Sequence, residues 1–283
     1  MKTLILKAVL TGLCLVCLTG CGKSKETEEK QMALRSQGME QALSGEYESA
    51  IDSYNRALAL SDMRAGALEL DIAAYKASAQ YYAGEVTQAI DTCSAILDLK
   101  KSAEIYMARG ILYRESGNIQ AANNDFASAI ELASKKDLVL LGRLSYYMED
   151  YAKAKEHLEQ ASDKKDQEAT FWLAELYWKM GNKEYAITLY QLYLEGEAEH
   201  QSAYARVASW QIEQEDYDAA LETLEAGIAK GDSNGLKELL GNEIAVYERK
   251  GDFATAKLKM ESYLESYPDD KAAAREYEFL KSR

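Results

Sequence analysis

The 283-residue chain contains one proline, Pro268. Folds rich in strands or long loops place proline at turns and sheet edges, so this scarcity points away from them and toward helices joined by short connections. Histidine is nearly as scarce, with His157 and His200 the only two, and neither has a cysteine or second histidine at ligand spacing. Zinc chemistry and imidazole-based catalysis therefore have no candidate constellation. The phosphate-cradling GxxxxGK[ST] and GxGxxG patterns are missing, as are HExxH and the alternating oxygen ligands of a calcium loop. Basic residues are outnumbered, 33 Lys+Arg against 47 Asp+Glu for a formal charge of −14. So negative a chain, with no local basic face, repels phosphate backbones and disfavours nucleic-acid binding. The expectation is no catalysis, no metal and no cofactor.

Alanine, leucine, glutamate, lysine and tyrosine dominate what remains, and they favour an all-α class. The first 21 residues, MKTLILKAVLTGLCLVCLTGC, place Lys2 and Lys7 ahead of a short apolar stretch, Ala8–Thr19. That stretch falls short of the roughly 20 residues a membrane-crossing helix needs and reads as a signal peptide over residues 1–20. Leu18-Thr19-Gly20-Cys21 resembles the bacterial lipobox. The resemblance implies cleavage before Cys21 and diacylglycerol on its sulfur, giving an extracytoplasmic protein held to a bacterial membrane. Two or three acyl chains would anchor it stably, since each buried methylene contributes ~0.8 kcal/mol. Residues 21–31 then read as the lipidated cysteine and a polar tether, solvated because it has no apolar residue to bury.

Of the four cysteines, Cys14 and Cys17 lie in the signal, with CxxC spacing but apolar surroundings, and Cys21 carries the lipid. Only Cys93 is left in the folded body, so no intramolecular disulfide is available there. It falls among Ala89, Ile90, Ile96 and Leu97 at helical spacing, as a small buried hydrophobe would.

One pattern recurs through the body: a turn glycine or acid, then Asn, Asp or Glu, often an aromatic, then a marker alanine. Gly45-Glu46-Tyr47-Glu48-Ser49-Ala50 and Gly117-Asn118-Ile119-Gln120-Ala121-Ala122 are two instances. The marker alanines are 50, 89, 122, 154, 186, 220 and 256, spaced by 39, 33, 32, 32, 34 and 36 residues. A period near 34 is that of the tetratricopeptide repeat, which the chain resembles over residues 32–268. The family's small position, twelve before the marker, holds Gly38, Ala77, Gly110, Gly142, Ala174, Ala208 and, as a departure, Ile244. The bulky position, four after it, holds Tyr54, Cys93, Phe126, Leu158, Tyr190, Leu224 and Met260. The first spacing implies an insertion or longer helices around Ser61–Leu70, and Ile244 suggests a splayed seventh hairpin. The resemblance implies an all-α, right-handed solenoid of about seven helical hairpins, with residues 269–283 as an amphipathic capping helix carrying Ala273, Tyr277 and Leu280 on one side.

In the family register the concave surface falls to Tyr81, Tyr82, Met107, Arg114, Arg143, Tyr146, Tyr147, Phe171, Glu175, Trp178 and Lys179. An aromatic face with a few charges suits a protein or peptide partner, although the same rings also serve to pack neighbouring hairpins. The Lys/Asn clamp that the family's co-chaperones use for acidic C-termini would need matching residues near Arg35, Met39, Tyr75, Glu104 and Ala108, and Arg35 alone fits. The expected function is a membrane-anchored protein-interaction scaffold of the cell envelope. The alternative is a lipid-anchored glycan or solute binder, or an accessory subunit of an envelope enzyme, that stacks sugar rings on the same aromatics.

Overall fold

The computed structural model describes residues 25–61, 65–196, 198, 200–231 and 233–283. The signal sequence and Cys21 lie outside them. All the regular structure among the described residues is α-helical. The helices run in pairs: α1 (Lys25–Leu43) with α2 (Tyr47–Ala59), α3 (Ala67–Tyr82) with α4 (Val86–Leu99), α5 (Ala103–Glu115) with α6 (Ile119–Leu132), and α7 (Leu138–Tyr147) with α8 (Tyr151–Ser162). They continue as α9 (Gln167–Lys179) with α10 (Lys183–Leu194), α11 (Gln201–Glu213) with α12 (Tyr217–Ile228), and α13 (Ser233–Arg249) with α14 (Phe253–Ser266). A fifteenth helix, α15 (Lys271–Leu280), follows. The chain divides into two compact units, one up to Trp172 and one from Leu173 onward. In each the architecture is the all-α stacking of antiparallel hairpins expected of a tetratricopeptide-type solenoid.

The marker register is a packing register. All seven marker alanines are at most 1% exposed, and the seven bulky residues four positions later are buried. Where the small position is glycine, the close approach of the second helix requires it. A Cβ at Gly110 would lie 2.6 Å from the Phe126 ring, and one at Gly142 would lie 2.6 Å from Leu158 Cγ. Ile244, the departure, is buried with Ala256, Met260, Tyr263 and Leu280 in the cluster that α15 closes. Ala273 and Tyr277 of α15 pack against that cluster, as their spacing predicts. The helix that follows the long first spacing, α3, runs 16 residues.

In the first, second, third and seventh hairpins, the polar side chain three residues after the marker reaches back to the first helix. Ser53 and Thr92 donate to Gln41 and Gln80 at 2.7 Å each. Asp125 accepts two bonds from Arg109, both at 2.8 Å. In the last hairpin the same pair is reversed in sign: Lys259 donates to the buried Glu243 at 2.7 Å. The charge order thus differs between the third and seventh hairpins, while the cross-helix tie is the same.

One boundary differs from the sequence expectation. The segment taken as tether, 21–31, is helical from Lys25. Charged pairs one turn apart support that helix, with Lys30 donating to Glu26 at 2.6 Å. Gln31 is buried and donates to Glu69 of α3 at 3.0 Å. The start of the first repeat therefore extends into what composition alone marks as solvated.

Candidate functional site

In the first unit five of the sequence-selected residues, Tyr81, Tyr82, Arg114, Tyr146 and Tyr147, lie at the C-terminal ends of the first helices. Each end carries the same two register positions: Tyr81-Tyr82 on α3, Arg114-Glu115 on α5 and Tyr146-Tyr147 on α7. Tyr81 is buried and its hydroxyl donates to Glu115, which together push the phenol's pKa up. Tyr82 is half-buried, its ring stacked on Tyr47 with centroids 5.4 Å apart. Arg114 donates to the Tyr147 carbonyl and to the Glu149 carboxylate, tying the end of α5 to the turn after α7.

Around α7 the aromatics converge. Tyr147 stacks on Phe126 at 5.7 Å, and Tyr146 and Tyr147 both meet Trp172 edge-on, at 5.6 and 5.7 Å. Arg143 lies beneath them, its guanidinium 4.8 Å from the centre of the Trp172 ring and Nη1 3.8 Å from Glu168. Burial lowers the pKa of this guanidinium, and Glu168 partly offsets the shift. The Trp172 indole donates to Glu168 at 2.9 Å, so one carboxylate serves both.

The second unit has its own cluster. Glu175 is buried and accepts from the Tyr190 hydroxyl at 2.6 Å. Trp178 is partly exposed and has two cations over its ring, Arg206 at 4.8 Å and Lys183 at 5.2 Å. Arg206 also approaches Glu175 at 4.0 Å, and Lys179 stands exposed one residue beyond Trp178.

Two of the eleven selected residues prove to be core. Met107 and Phe171 are fully buried and offer a partner no surface. Tyr81 and Arg143 present only an edge, and Glu175 is committed to Tyr190. Tyr82, Arg114, Tyr146, Tyr147, Trp178 and Lys179 keep open surface. Sequence reasoning missed Trp172, the ring around which Arg143, Tyr146 and Tyr147 are arranged. Its neighbour Phe171 took the family's surface position, and in the run FWLAEL nothing distinguishes the two. Arg35, the one residue matching the co-chaperone clamp, is engaged by Asp71 and Tyr75.

His200 is buried, and its backbone N–H donates to the Tyr193 hydroxyl at 3.0 Å. The Cys93 thiol is buried and its pKa is pushed up to about 12 by desolvation. Among the described residues no three His, Cys, Asp or Glu side chains are grouped so as to hold a metal, and no helix is long and apolar enough to cross a membrane.

Antiparallel helical hairpins that share one packing register define a helical-repeat protein. The repeats are of the tetratricopeptide kind, with family models for that repeat matching residues 103–136 and 146–210. The chain is similar to yeast Tom70, at 16% identity and a TM-score of 0.64 over 98% of this chain and 69% of that one. It is similar to a tetratricopeptide repeat protein from Parabacteroides merdae, at 18% identity and a TM-score of 0.51, covering 90% of this chain and 100% of the other. A thermophilic TPR protein of Thermus thermophilus is 20% identical with a TM-score of 0.51, over 63% of this chain and 97% of that one. At such identities the likeness is one of fold. No curated protein matches the chain in sequence.

Proposed function

We propose that the protein is a non-catalytic interaction scaffold of a bacterial cell envelope, anchored through an acylated Cys21 after removal of residues 1–20. The reading rests chiefly on one observation: rings and charges recur at the same register position of successive first helices and stay partly open. In the first unit Tyr82, Arg114, Tyr146 and Tyr147 form this face; in the second, Trp178 and Lys179 do, with Lys183 of α10 and Arg206 of α11 over the Trp178 ring. Anchored aromatics with flanking charges suit a protein or peptide partner, since rigid rings supply contact area and charges set register. Sugar stacking is the weaker reading, because flat stacking needs open ring faces and Tyr82 and Tyr147 already have one face each covered, by Tyr47 and Phe126.

Photo-crosslinking in cells through a reactive residue at position 146, compared with one at exposed Leu258, tests the face. A discrete protein adduct from 146 alone is expected, and equal labelling from both positions would refute the assignment. The anchor is tested separately by Cys21→Ser, which should move the protein from the membrane fraction to the soluble one.

A further inference from the structure

One buried charge beneath the partner face of the first unit is left unsatisfied. Arg143 is 5% exposed, and its Nε and Nη2 are enclosed without a hydrogen-bond acceptor. Nη1 lies 3.8 Å from Glu168, beyond hydrogen-bond reach, and the oxygen it faces already accepts from the Trp172 indole. The partly buried arginines of the same unit are all served. Arg35 donates to Asp71 and Tyr75, and Arg114 to the Tyr147 carbonyl and Glu149. Arg109 is the telling comparison, because it fills the same Nε–Nη2 edge with the two oxygens of Asp125, at 2.8 Å each. A fork of two enclosed N–H donors with nothing to donate to costs stability, and such groups are exceptions in folded proteins.

The chemistry of the edge limits what can fill it. A guanidinium donates and never accepts, so amines and other purely donating groups are excluded. The negative charges of Glu168 and Asp137 both act on Arg143, so the site has no positive surplus with which to draw in an anion. What remains is an uncharged acceptor whose oxygen can take both N–H groups. We propose, resting on the partner-face reading above, that the Nε–Nη2 edge of Arg143 receives an amide carbonyl of the partner, from its backbone or from an Asn or Gln side chain. The carbonyl reaches the edge when a ring above it turns aside. Tyr146 and Tyr147 are partly open and free to do so at side-chain cost only, whereas Trp172 is fully buried and carries the guanidinium on its ring. Arg143 is thus the polar anchor of an otherwise aromatic patch.

The Arg143 Nε–H resonance of the whole protein, assigned by its loss in Arg143→Lys, reports on this edge directly. Titration with N-methylacetamide and with propionamide should move it downfield to saturation. A tighter response to the first assigns a backbone carbonyl, and a tighter response to the second a side-chain carboxamide. Acetate should bind more weakly than the better amide, and methylammonium should leave the signal in place. Crosslinking from position 146 gives a second readout. Arg143→Lys keeps the charge but loses the fork, and should cut the adduct about tenfold. Arg143→Met should cut it as far while raising the unfolding midpoint, since an unsatisfied buried charge is removed. No saturable shift with either amide, tighter binding of acetate than of both, or an adduct indifferent to both variants would each overturn the proposal. So would a lowered midpoint in Arg143→Met, which would mark the arginine as structural. If position 146 captures nothing even with Arg143 in place, the partner face itself fails, while the amide titration still decides what the edge accepts.

Discussion

Gly84-Glu85, between α3 and α4, and Glu215-Asp216, between α11 and α12, occupy the same two positions of the repeat and are built from opposite chemistry. The first residue of each pair must turn left-handed: φ is +85° at Gly84 and +60° at Glu215. Glycine adopts this region without penalty, whereas a residue with a Cβ loses about 1–2 kcal/mol there. The second residue is the N-cap of the following helix. Asp216 accepts from the Ala219 N–H at 3.3 Å, while Glu85, one methylene longer, makes no cap bond. Such a bond contributes roughly 1 kcal/mol. The second hairpin therefore has the easy turn and no cap, and the sixth has the cap and a strained turn. Gly181-Asn182, between α9 and α10, has both advantages. No turn of the seven lacks both, which implies that each hairpin needs one of two interchangeable local devices.

The sharpest way to break that comparison is to make a turn with neither device. Gly84→Glu leaves hairpin two with a strained residue and no cap, and a Cβ there meets nothing within 4 Å, so no clash adds to the backbone strain in the folded state. It should cost about 1–2 kcal/mol by denaturant midpoint; a loss below about 0.5 would mean that the turn is held by packing instead. Next in size, Asp216→Ala should cost about 1 kcal/mol, and Glu85→Ala at the equivalent position should be close to neutral. Equal losses at the two sites would show that the cap is not what separates them. Smaller and opposite in sign, Glu215→Gly should raise stability by about 0.5–1 kcal/mol, the relief of strain being reduced by the added freedom of the unfolded chain. Because repeats can melt semi-independently, amide exchange in α12 should accompany the bulk measurement.

These turn differences explain why the fold was legible while parts of the site were not. The marker alanines, the small positions and the turn pairs are each fixed by one local constraint: closeness of two helices, a left-handed φ or an orphan N–H. Such constraints restrict residue type strongly, and so they surface as a period. Whether an aromatic on a first helix faces solvent is set by the neighbouring hairpin, which leaves no local signature. Met107 and Phe171 are buried and Tyr146 is half open, although all occupy the surface positions of the family frame. Trp172 escaped notice for the same reason, its role fixed by Arg143 and Glu168 from other turns of chain. The start of α1 was hidden differently: Lys25–Lys30 has no apolar residue, and Gln31 gains its place only through Glu69.

The finest distinction between the capped and uncapped turns is how they respond to acid. Asp252 caps α14 by accepting from the Thr255 N–H at 3.0 Å and from the Thr255 hydroxyl at 2.7 Å. These bonds favour the charged form and hold its pKa below the ordinary 3.8. A carboxylate with a lowered folded pKa adds stability above its unfolded value and loses it as pH falls through the folded one. Exchange protection at the Thr255 amide should therefore drop as pH falls below about 3.8, whereas the Gln88 amide, third in α4 behind the capless Glu85, should show no acid-linked step of this kind. Asp252→Asn keeps an oxygen acceptor but cannot titrate, so it should flatten the response at Thr255. If both amides lost protection together in the wild type, and Asp252→Asn left that loss unchanged, the acid effect would belong to the array as a whole, and the two kinds of turn would be equivalent in this respect.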